Sequence, residues 1–254
     1  MIAAFTIPRL GWLAGLLVFL FGLWRIDASP WRLIQGLSRL GWLLVLMLPP
    51  SDGGALTELL SALLDTLAMA FLGTIVAAVV ALPLALLGAA NVVPVRLLRF
   101  GLRRSWDGLR GVDTLIWALI FVSAVGMGPF AGVLAIAVPD TGVLAKLFSE
   151  AIEAADGRQP EAVRAVGGNR LAVIRYGLLP QVVPVLLSQV LYFFESNVRS
   201  ASILGLVGAG GIGLALSDRL RINNWDEVAF IVLLILAMVA VIDTGSRALR
   251  RRLV

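Results

Sequence analysis

The 254-residue sequence contains no histidine and no cysteine. Their absence removes histidine as a general base and removes the commonest nitrogen and sulfur metal ligands, so we expect no metal site. It also excludes a thiol nucleophile and a disulfide. Charge is scarce too, because only 15% of the residues are charged, whereas soluble domains have about a quarter.

Apolar residues are abundant instead. They make up 59% of the chain, the mean hydropathy is +0.95, and several runs approach the roughly 20 residues that cross a bilayer as a helix. The composition predicts an all-α polytopic membrane protein. The pI of about 10.9 would suit a nucleic-acid-binding protein, but it also fits the excess of Lys and Arg in cytoplasmic loops. We favour the second interpretation and expect membrane lipid, not nucleic acid, as the surroundings.

The N-terminal part, residues 1–55, predicts one membrane helix and an interfacial segment. Residues 10–24 resemble a signal-peptide core, but no small-residue cleavage site follows, so we expect a retained helix. Residues 31–50 contain Trp31 and Trp42 among apolar residues and two arginines. This stretch could lie on the periplasmic surface as an amphipathic helix or cross the membrane.

Five further spans are predicted, which gives about six in all. They cover residues 59–89 with a kink at Pro83, 112–125, 130–148 with an interruption at 139–142, 182–204 and 228–244, and residues 91–110 are predicted to be a basic loop. Fifteen of the 21 Lys and Arg residues lie in the N-terminus, this loop, residues 146–181 and the C-terminal tail. The charge bias therefore predicts that both termini are cytoplasmic.

Residues 160–180, PEAVRAVGGNRLAVIRYGLLP, form a polar segment in this apolar chain. Gln159-Pro160 can begin a helix, and Gly167-Gly168 can end it. A second helix should then run from about Asn169 until Pro180 stops it. A helix this short is marginal alone in water, so it should dock on its own domain or on a partner, unless the segment is an ordinary structured loop.

The spacing of this segment resembles the EAA motif of ABC importer permeases. Glu161-Ala162-Val163 is followed after three residues by Gly167, and after nine more by Gly177-x-Leu179-Pro180. The family pattern is Glu-Ala-Ala, three residues, Gly, nine residues, Ile-x-Leu-Pro. Two positions depart from it, since Val163 replaces the second alanine and Gly177 replaces the isoleucine.

Several further stretches are distinctive: LIWALIFVSAVGMGPFAGVLAIAV (115–138), KLFSEAIEAAD (146–156), VIRYGLLPQVVP (173–184), NVRSASILGLVGAGGIG (197–213) and the basic tail. With these stretches, the chain from about residue 115 onward resembles phosphonate-type importer permeases in particular. Where that family often has histidine, this chain has Asp140.

The resemblance implies a type I ABC importer permease, in which residues 56–254 form the transmembrane domain, with five core helices and a cytoplasmic coupling loop at about 150–181. It implies a homodimer in the bacterial inner membrane with two cytoplasmic ATPase subunits and a periplasmic binding protein. ATP and Mg would be bound by the ATPase, and this chain would be non-catalytic with no cofactor. The residues expected to couple to the ATPase are Glu161, Ala162, Val163, Gly167, Leu179 and Pro180.

Charged and polar residues within predicted spans are candidates for the transport pathway. Glu195 and Arg199 are four residues apart and can pair on one helix face. With Asn197 and Asp140, they could meet an oxyanion such as phosphonate or phosphite during passage. The alternative is a buried ion pair that fixes helix positions.

A glycine-rich stretch, residues 208–213, matches G-x-G-x-x-G but lacks the strand–helix context of a dinucleotide site. Gly208, Gly210, Gly211 and Gly213 would instead allow close helix packing or form a gate.

Three alternatives to a phosphonate or phosphite permease stay open. The chain could serve another small solute, or could act without an ATPase as a secondary transporter or channel. A membrane enzyme would need paired carboxylates, but Asp65, Asp140 and Asp243 show no productive spacing.

Overall fold

The computed structural model describes residues 6–253, and every regular element in that range is helical. The chain divides into two compact units between Pro49 and Pro50. The first contains α1 (Thr6–Arg25) and α2 (Pro30–Leu46). The apolar part of α1, Gly11–Arg25, is shorter than a full span. The position of α2 on or across the membrane stays a prediction, as does the periplasmic location of residues 31–50.

The second unit is a bundle of long helices joined by short ones. Its helices are α3 (Leu56–Gly88), α4 (Arg96–Arg110), α5 (Thr114–Val125), α6 (Pro129–Glu153), α7 (Arg158–Ala165), α8 (Arg170–Ala172), α9 (Leu179–Leu204), α10 (Ile212–Arg221) and α11 (Trp225–Leu253). A π-helical turn, Val173–Leu178, joins α8 to α9, and a 3₁₀ turn, Gly205–Val207, follows α9.

Four helical runs of the described chain are long and apolar enough to cross a membrane. They are Leu56–Gly88, Pro129–Glu153, Arg170–Val207 and Trp225–Arg252. The pair α4 and α5, bent by 83°, makes a fifth candidate span. The prediction of an all-α polytopic membrane protein is therefore confirmed, with α1 as the shorter N-terminal apolar helix.

The predicted basic loop at 91–110 is wrong, because most of it forms α4. Trp106 on this helix is only 2% exposed and packs against Gly88, the last residue of α3. A Cβ built on Gly142 of α6 would lie 2.9 Å from the Trp106 carbonyl oxygen. The buried tryptophan thus holds an amphipathic, arginine-rich helix against α3 and α6. The predicted span at 112–125 agrees with α5 to within two residues.

The predicted interruption at residues 139–142 is also wrong, since α6 runs through it without a break. Membrane helices tolerate an internal proline, which leaves the carbonyl four residues back, here that of Ala135, without its amide donor. Thr141 donates its hydroxyl hydrogen to the Ala137 carbonyl at 2.7 Å, a bond within the helix. Gly142 forms no turn; its lack of a side chain allows α4 to pack closely against α6. Likewise Pro83 lies within α3, which continues to Gly88 as a single helix.

Pro180 does not stop a helix, contrary to our prediction; it lies in the first turn of α9. Proline is well accommodated there because the amide groups of a first turn have no partner within the helix. The Gln181 side chain donates to the Gly177 carbonyl at 2.6 Å and so satisfies backbone at the junction with the π-helical turn. The polar segment therefore leads into the membrane helix without a stop.

Candidate functional site

The segment with the EAA spacing forms an exposed helix, α7, followed by a tight turn. None of the eight residues of α7, all of which the structure describes, is buried. Glu161 lies in the first turn, where a carboxylate interacts favourably with the helix dipole. Gly167 has φ +85°, a conformation that favours glycine. The Gly168 amide donates to the Val163 carbonyl at 2.9 Å and closes the helix end.

The exposed helix is fixed to the start of α9 at two points. Pro160 lies against Gly177 of the π-helical turn, where a built Cβ would approach its Cα atom to 2.8 Å. The Asp156 amide donates to the Gln181 side-chain oxygen at 3.0 Å, and the Gln181 side-chain amide donates back to the Asp156 carbonyl at 3.1 Å. Thus α7 docks on its own chain and still presents Glu161 and Ala162 outward.

The other residues of the predicted coupling set lie where the helices meet. Val163 is half-buried under the turn that Gly167 closes, and Leu179 and Pro180 begin α9. They support the junction from which α7 projects. Their contact with an ATPase stays a prediction.

A groove of about 710 Å³ lies beside α7. On one side it is bounded by the segment that links α3 to α4, and on the other by α7 and the π-helical turn. Its charged side chains are Glu161, Arg164 and Arg170. The surface next to the motif is therefore concave and mixed in charge.

Glu153, at the end of α6, links this region to α4. Its carboxylate accepts from the Arg103 guanidinium and from the Ala90 amide, both at 2.7 Å. Asn91 donates to the Ile152 carbonyl, also at 2.7 Å. These contacts hold the segment after α3 against the helix that leads to α7.

The charged residues predicted within the fifth span form an ion cluster with α11. Arg199 lies 3.8 Å from Glu195, which confirms the pairing that their four-residue spacing predicts, and 3.2 Å from Asp243. Glu195 also pairs with Arg250. The Arg199 side chain is 45% exposed although two carboxylates face it. In this arrangement the cluster joins α9 to α11, and Arg199 keeps an open side.

Asn197 and Asp140 belong to a different group, on the side of α9 that faces α3 and α6. Asn197 donates its two amide hydrogens to Asp140 at 2.5 Å and to Thr74 at 2.9 Å. The Thr74 hydroxyl in turn donates to the Ala70 carbonyl at 2.6 Å, which leaves its oxygen free to accept. The four predicted pathway residues are therefore divided between two polar groups.

The sequence reasoning missed three partners in these groups. Thr74 was hidden in a long apolar run, and Asp243 and Arg250 lie far from residue 199 in sequence. A polar residue in the middle of a span was the available signal for Thr74. Spacing along one helix gives no comparable signal for partners on another helix.

The glycine-rich stretch forms a compact turn between α9 and α10. Gly208, Gly210 and Gly211 have φ values of +92°, +81° and +72°. Gly213 packs against the Ser202 carbonyl so closely that a side chain would not fit. Close backbone packing explains these glycines physically, and a gating role stays a prediction.

Residues 81–254 match the family described as "Binding-protein-dependent transport system inner membrane component". The chain belongs to this family. It is 42% identical over 219 residues to HtxC of Stutzerimonas stutzeri, whose name places it in a phosphite transport system, with 86% of this chain and 77% of HtxC covered. It is 40% identical over 238 residues to PtxC of the same organism, named a phosphite transport system permease protein, with 92% and 85% covered.

The fold also matches that of a solved transporter chain. Superposition on a chain of the MetNI methionine ABC transporter gives a TM-score of 0.71 at 21% identity and covers 80% of this chain and all of the other. At this identity the likeness concerns the fold, which is that of an ABC importer permease. The protein is thus a multi-pass membrane permease of the binding-protein-dependent type.

Proposed function

We propose that this chain is the transmembrane subunit of an ATP-driven importer for phosphite or a related phosphorus oxyanion such as phosphonate. The observation that carries the proposal is α7, an exposed helix with the EAA spacing that is fixed to the junction of α6 and α9. The names of the relatives in Stutzerimonas stutzeri support the substrate class.

The coupling site of the proposal is the outward surface of α7 with the adjacent groove. Glu161 and Ala162 face outward, and Gly167 gives the sharp turn that limits the helix to two turns. The helix is positioned by the junction that supports it, which contains Val163, Leu179 and Pro180. A cytoplasmic ATPase would dock on this surface, and its closure would move α7 together with the membrane helices attached to it.

The assembly we propose contains two copies of this chain, two ATPase subunits and a periplasmic binding protein, in the bacterial inner membrane. Both termini, α4 and α7 would face the cytoplasm, as the distribution of Lys and Arg favours. ATP and Mg would be bound by the ATPase, so this chain would need no cofactor and would be non-catalytic itself.

For the oxyanion pathway, Arg199 is the residue that we propose to contact substrate. Its guanidinium has fixed positive charge and a planar set of donors that suits a phosphorus oxyanion. Asp243 and Glu195 hold it while no anion is present, and its open side leaves room for one. The Asp140–Asn197 pair, in which Asn197 is buried and Asp140 is half-buried, would support the helices around the pathway.

The test is reconstitution of the chain with its ATPase and binding protein in proteoliposomes. Uptake of phosphite and methylphosphonate is measured with and without ATP, with phosphate and methionine as competitors. We expect ATP-dependent uptake that excess phosphite suppresses and methionine does not. Uptake that persists without the ATPase would contradict the proposal, and competition by methionine alone would overturn the substrate class.

Two substitutions, one on α7 and one in the turn that follows it, test the coupling surface in the same complex. Glu161→Arg reverses an exposed charge, and Gly167→Asp places a side chain at φ +85°. Both should reduce copurification of the ATPase and ATP-dependent uptake. Gly101→Asp on α4 is the matched control, because a Cβ there meets open space. Equal losses in all three variants would show that α7 has no special role.

A further inference from the structure

Asn197 connects three membrane helices through one amide group. It is 6% exposed on α9, and its amide donates to Asp140 on α6 and to Thr74 on α3, which is 1% exposed. The Thr74 hydroxyl donates its hydrogen to the Ala70 carbonyl, so its oxygen can only accept, and the hydrogen that it accepts comes from Asn197. Such a network of hydrogen bonds favours one arrangement of the three helices, because removing one side chain leaves its partner without a hydrogen bond inside the bundle.

The two helices joined by Asp140 and Asn197 are the two that flank α7. Helix α6 ends at Glu153, shortly before α7 begins at Arg158, and the run that contains α9 is continuous from Arg170 to Val207. At 1.5 Å per residue, Asp140 lies roughly 20 Å of helix from the end of α6. The pair therefore joins the two arms deep in the bundle, far from the exposed helix.

A second link joins the same two arms at the end that carries α7. There the Gln181 side chain is bonded to both the amide and the carbonyl of Asp156. Residues 129–204 thus form a helical hairpin with α7 at its tip. Hydrogen bonds join its two arms at two levels, Asp140 to Asn197 deep in the bundle and Asp156 to Gln181 near α7. We call residues 129–204 the coupling hairpin.

Helix α3 completes the attachment by packing against α6. A Cβ built on Gly73 would lie 2.7 Å from the Ile136 side chain, so the backbones of α3 and α6 approach closely there. Thr74, the next residue, adds the bond to Asn197. Close packing therefore fixes α6 to α3, whereas polar bonds fix α9 to both.

We propose that Asp140 and Asn197 are positioning residues that make the coupling hairpin move as one rigid body, so that displacement of α7 reaches the pathway-facing part of α9. This inference rests on the proposed function. Loss of the pair would let α6 and α9 shift separately. ATP hydrolysis would continue, but a smaller fraction of the hydrolysis events would move substrate.

The experiment uses the full complex in proteoliposomes and measures phosphite moved per ATP hydrolysed. Asn197→Leu should lower this ratio about threefold or more, the factor that corresponds to an average interhelical hydrogen bond in a membrane protein. Ser202→Ala is the matched control, since the Ser202 hydroxyl bonds only within α9, to the Val198 carbonyl. An unchanged ratio in Asn197→Leu, or an equal fall in Ser202→Ala, would overturn the proposal.

A cross-link tests rigidity directly and keeps assembly constant. The chain has no native cysteine, so Asp140→Cys with Asn197→Cys allows a short bifunctional thiol reagent to join α6 and α9. The uncross-linked variant should have a low transport-to-hydrolysis ratio, and cross-linking should restore it in the same preparation. If α6 and α9 must move apart during the cycle, the cross-link will block transport instead, which would refute the rigid hairpin.

These outcomes are separable from failure of the proposed function. If that function is wrong, the unmodified complex shows no ATP-dependent phosphite uptake. If the function is right and only the rigid hairpin is wrong, the unmodified complex imports phosphite with ATP, and Asn197→Leu moves as much phosphite per ATP as the unmodified complex.

Discussion

Pro160 on α7 lies directly against Gly177 in the π-helical turn. A Cβ built on Gly177 would lie 2.8 Å from the Pro160 Cα atom and 2.9 Å from its nitrogen. Both are backbone atoms, which cannot move aside as a flexible side chain can. The isoleucine of the EAA pattern would not fit here. Glycine at position 177 therefore allows α7 to pack closely on the π-helical turn.

The first prediction concerns this contact. Gly177→Ile restores the family pattern, yet it should displace α7 and reduce the amount of ATPase that copurifies with the complex. Gly101→Ile is the control, because position 101 on α4 is open. Copurification of the Gly177→Ile variant at the wild-type level would show that α7 can re-dock and would contradict our explanation of the glycine.

The second prediction concerns the other departure from the pattern, Val163. Val163→Ala keeps the backbone bond from the Gly168 amide and removes only two methyl groups from a half-buried site. We expect ATPase binding within about twofold of wild type, as for most surface substitutions. Gly168→Ala should be far more harmful, since its Cβ would lie 2.6 Å from the Val163 carbonyl oxygen. Titration of the ATPase against both variants compares them.

What the sequence could predict depended on whether a feature was local. The EAA spacing and the glycine that ends α7 are properties of one short segment, and Gly167 has the left-handed conformation that its position suggests. The pairing of Glu195 with Arg199 follows from helical spacing alone. Apolar run length likewise predicted the membrane class.

Features that depend on contact between distant segments could not be predicted in this way. The expectation that residues 139–142 break a helix relied on proline and glycine propensities, but in α6 the glycine faces Trp106. The arginine-rich 91–110 segment suggested a loop because its one buried anchor, Trp106, is a single residue among many charges. The bond between Asn197 and Asp140 joins residues 57 apart in sequence.

The third prediction separates two roles for Arg199. If it contacts the oxyanion, Arg199→Gln should abolish phosphite uptake while the complex stays assembled, and adding Asp243→Asn should not restore uptake. If it is only a structural partner of Asp243, the double variant removes both members of the pair and should recover activity. Uptake assays on purified, assembled complexes distinguish the two results. Normal transport by Arg199→Gln alone would exclude both roles.

The fourth prediction concerns the anchor of α4. Trp106→Ala should destabilise the protein by about 3–5 kcal/mol, the usual range for deletion of a buried aromatic side chain. Thermal unfolding in detergent should show a lowered midpoint, with loss of protection in α4 before the rest. Trp31→Ala is the control, because Trp31 is 65% exposed. A similar small change in both variants would mean that Trp106 does not hold α4 in place.

The fifth prediction concerns Thr66, which joins α3 to the glycine-rich turn. Its hydroxyl donates to the Ala62 carbonyl at 2.9 Å and accepts from the Ile212 amide at 2.8 Å, so it caps the first turn of α10. Thr66→Val keeps the shape but leaves that buried amide without a partner, at a cost of about 1–3 kcal/mol. Hydrogen exchange at the start of α10 should accelerate by a corresponding factor.

Thr244→Val is the matched control, because the Thr244 hydroxyl bonds to the Ala240 carbonyl of its own helix and is exposed. Since the two substitutions remove the same atoms, faster exchange in Thr66→Val alone identifies the cap as the cause, and unchanged exchange would mean that the glycine turn keeps α10 in place without it.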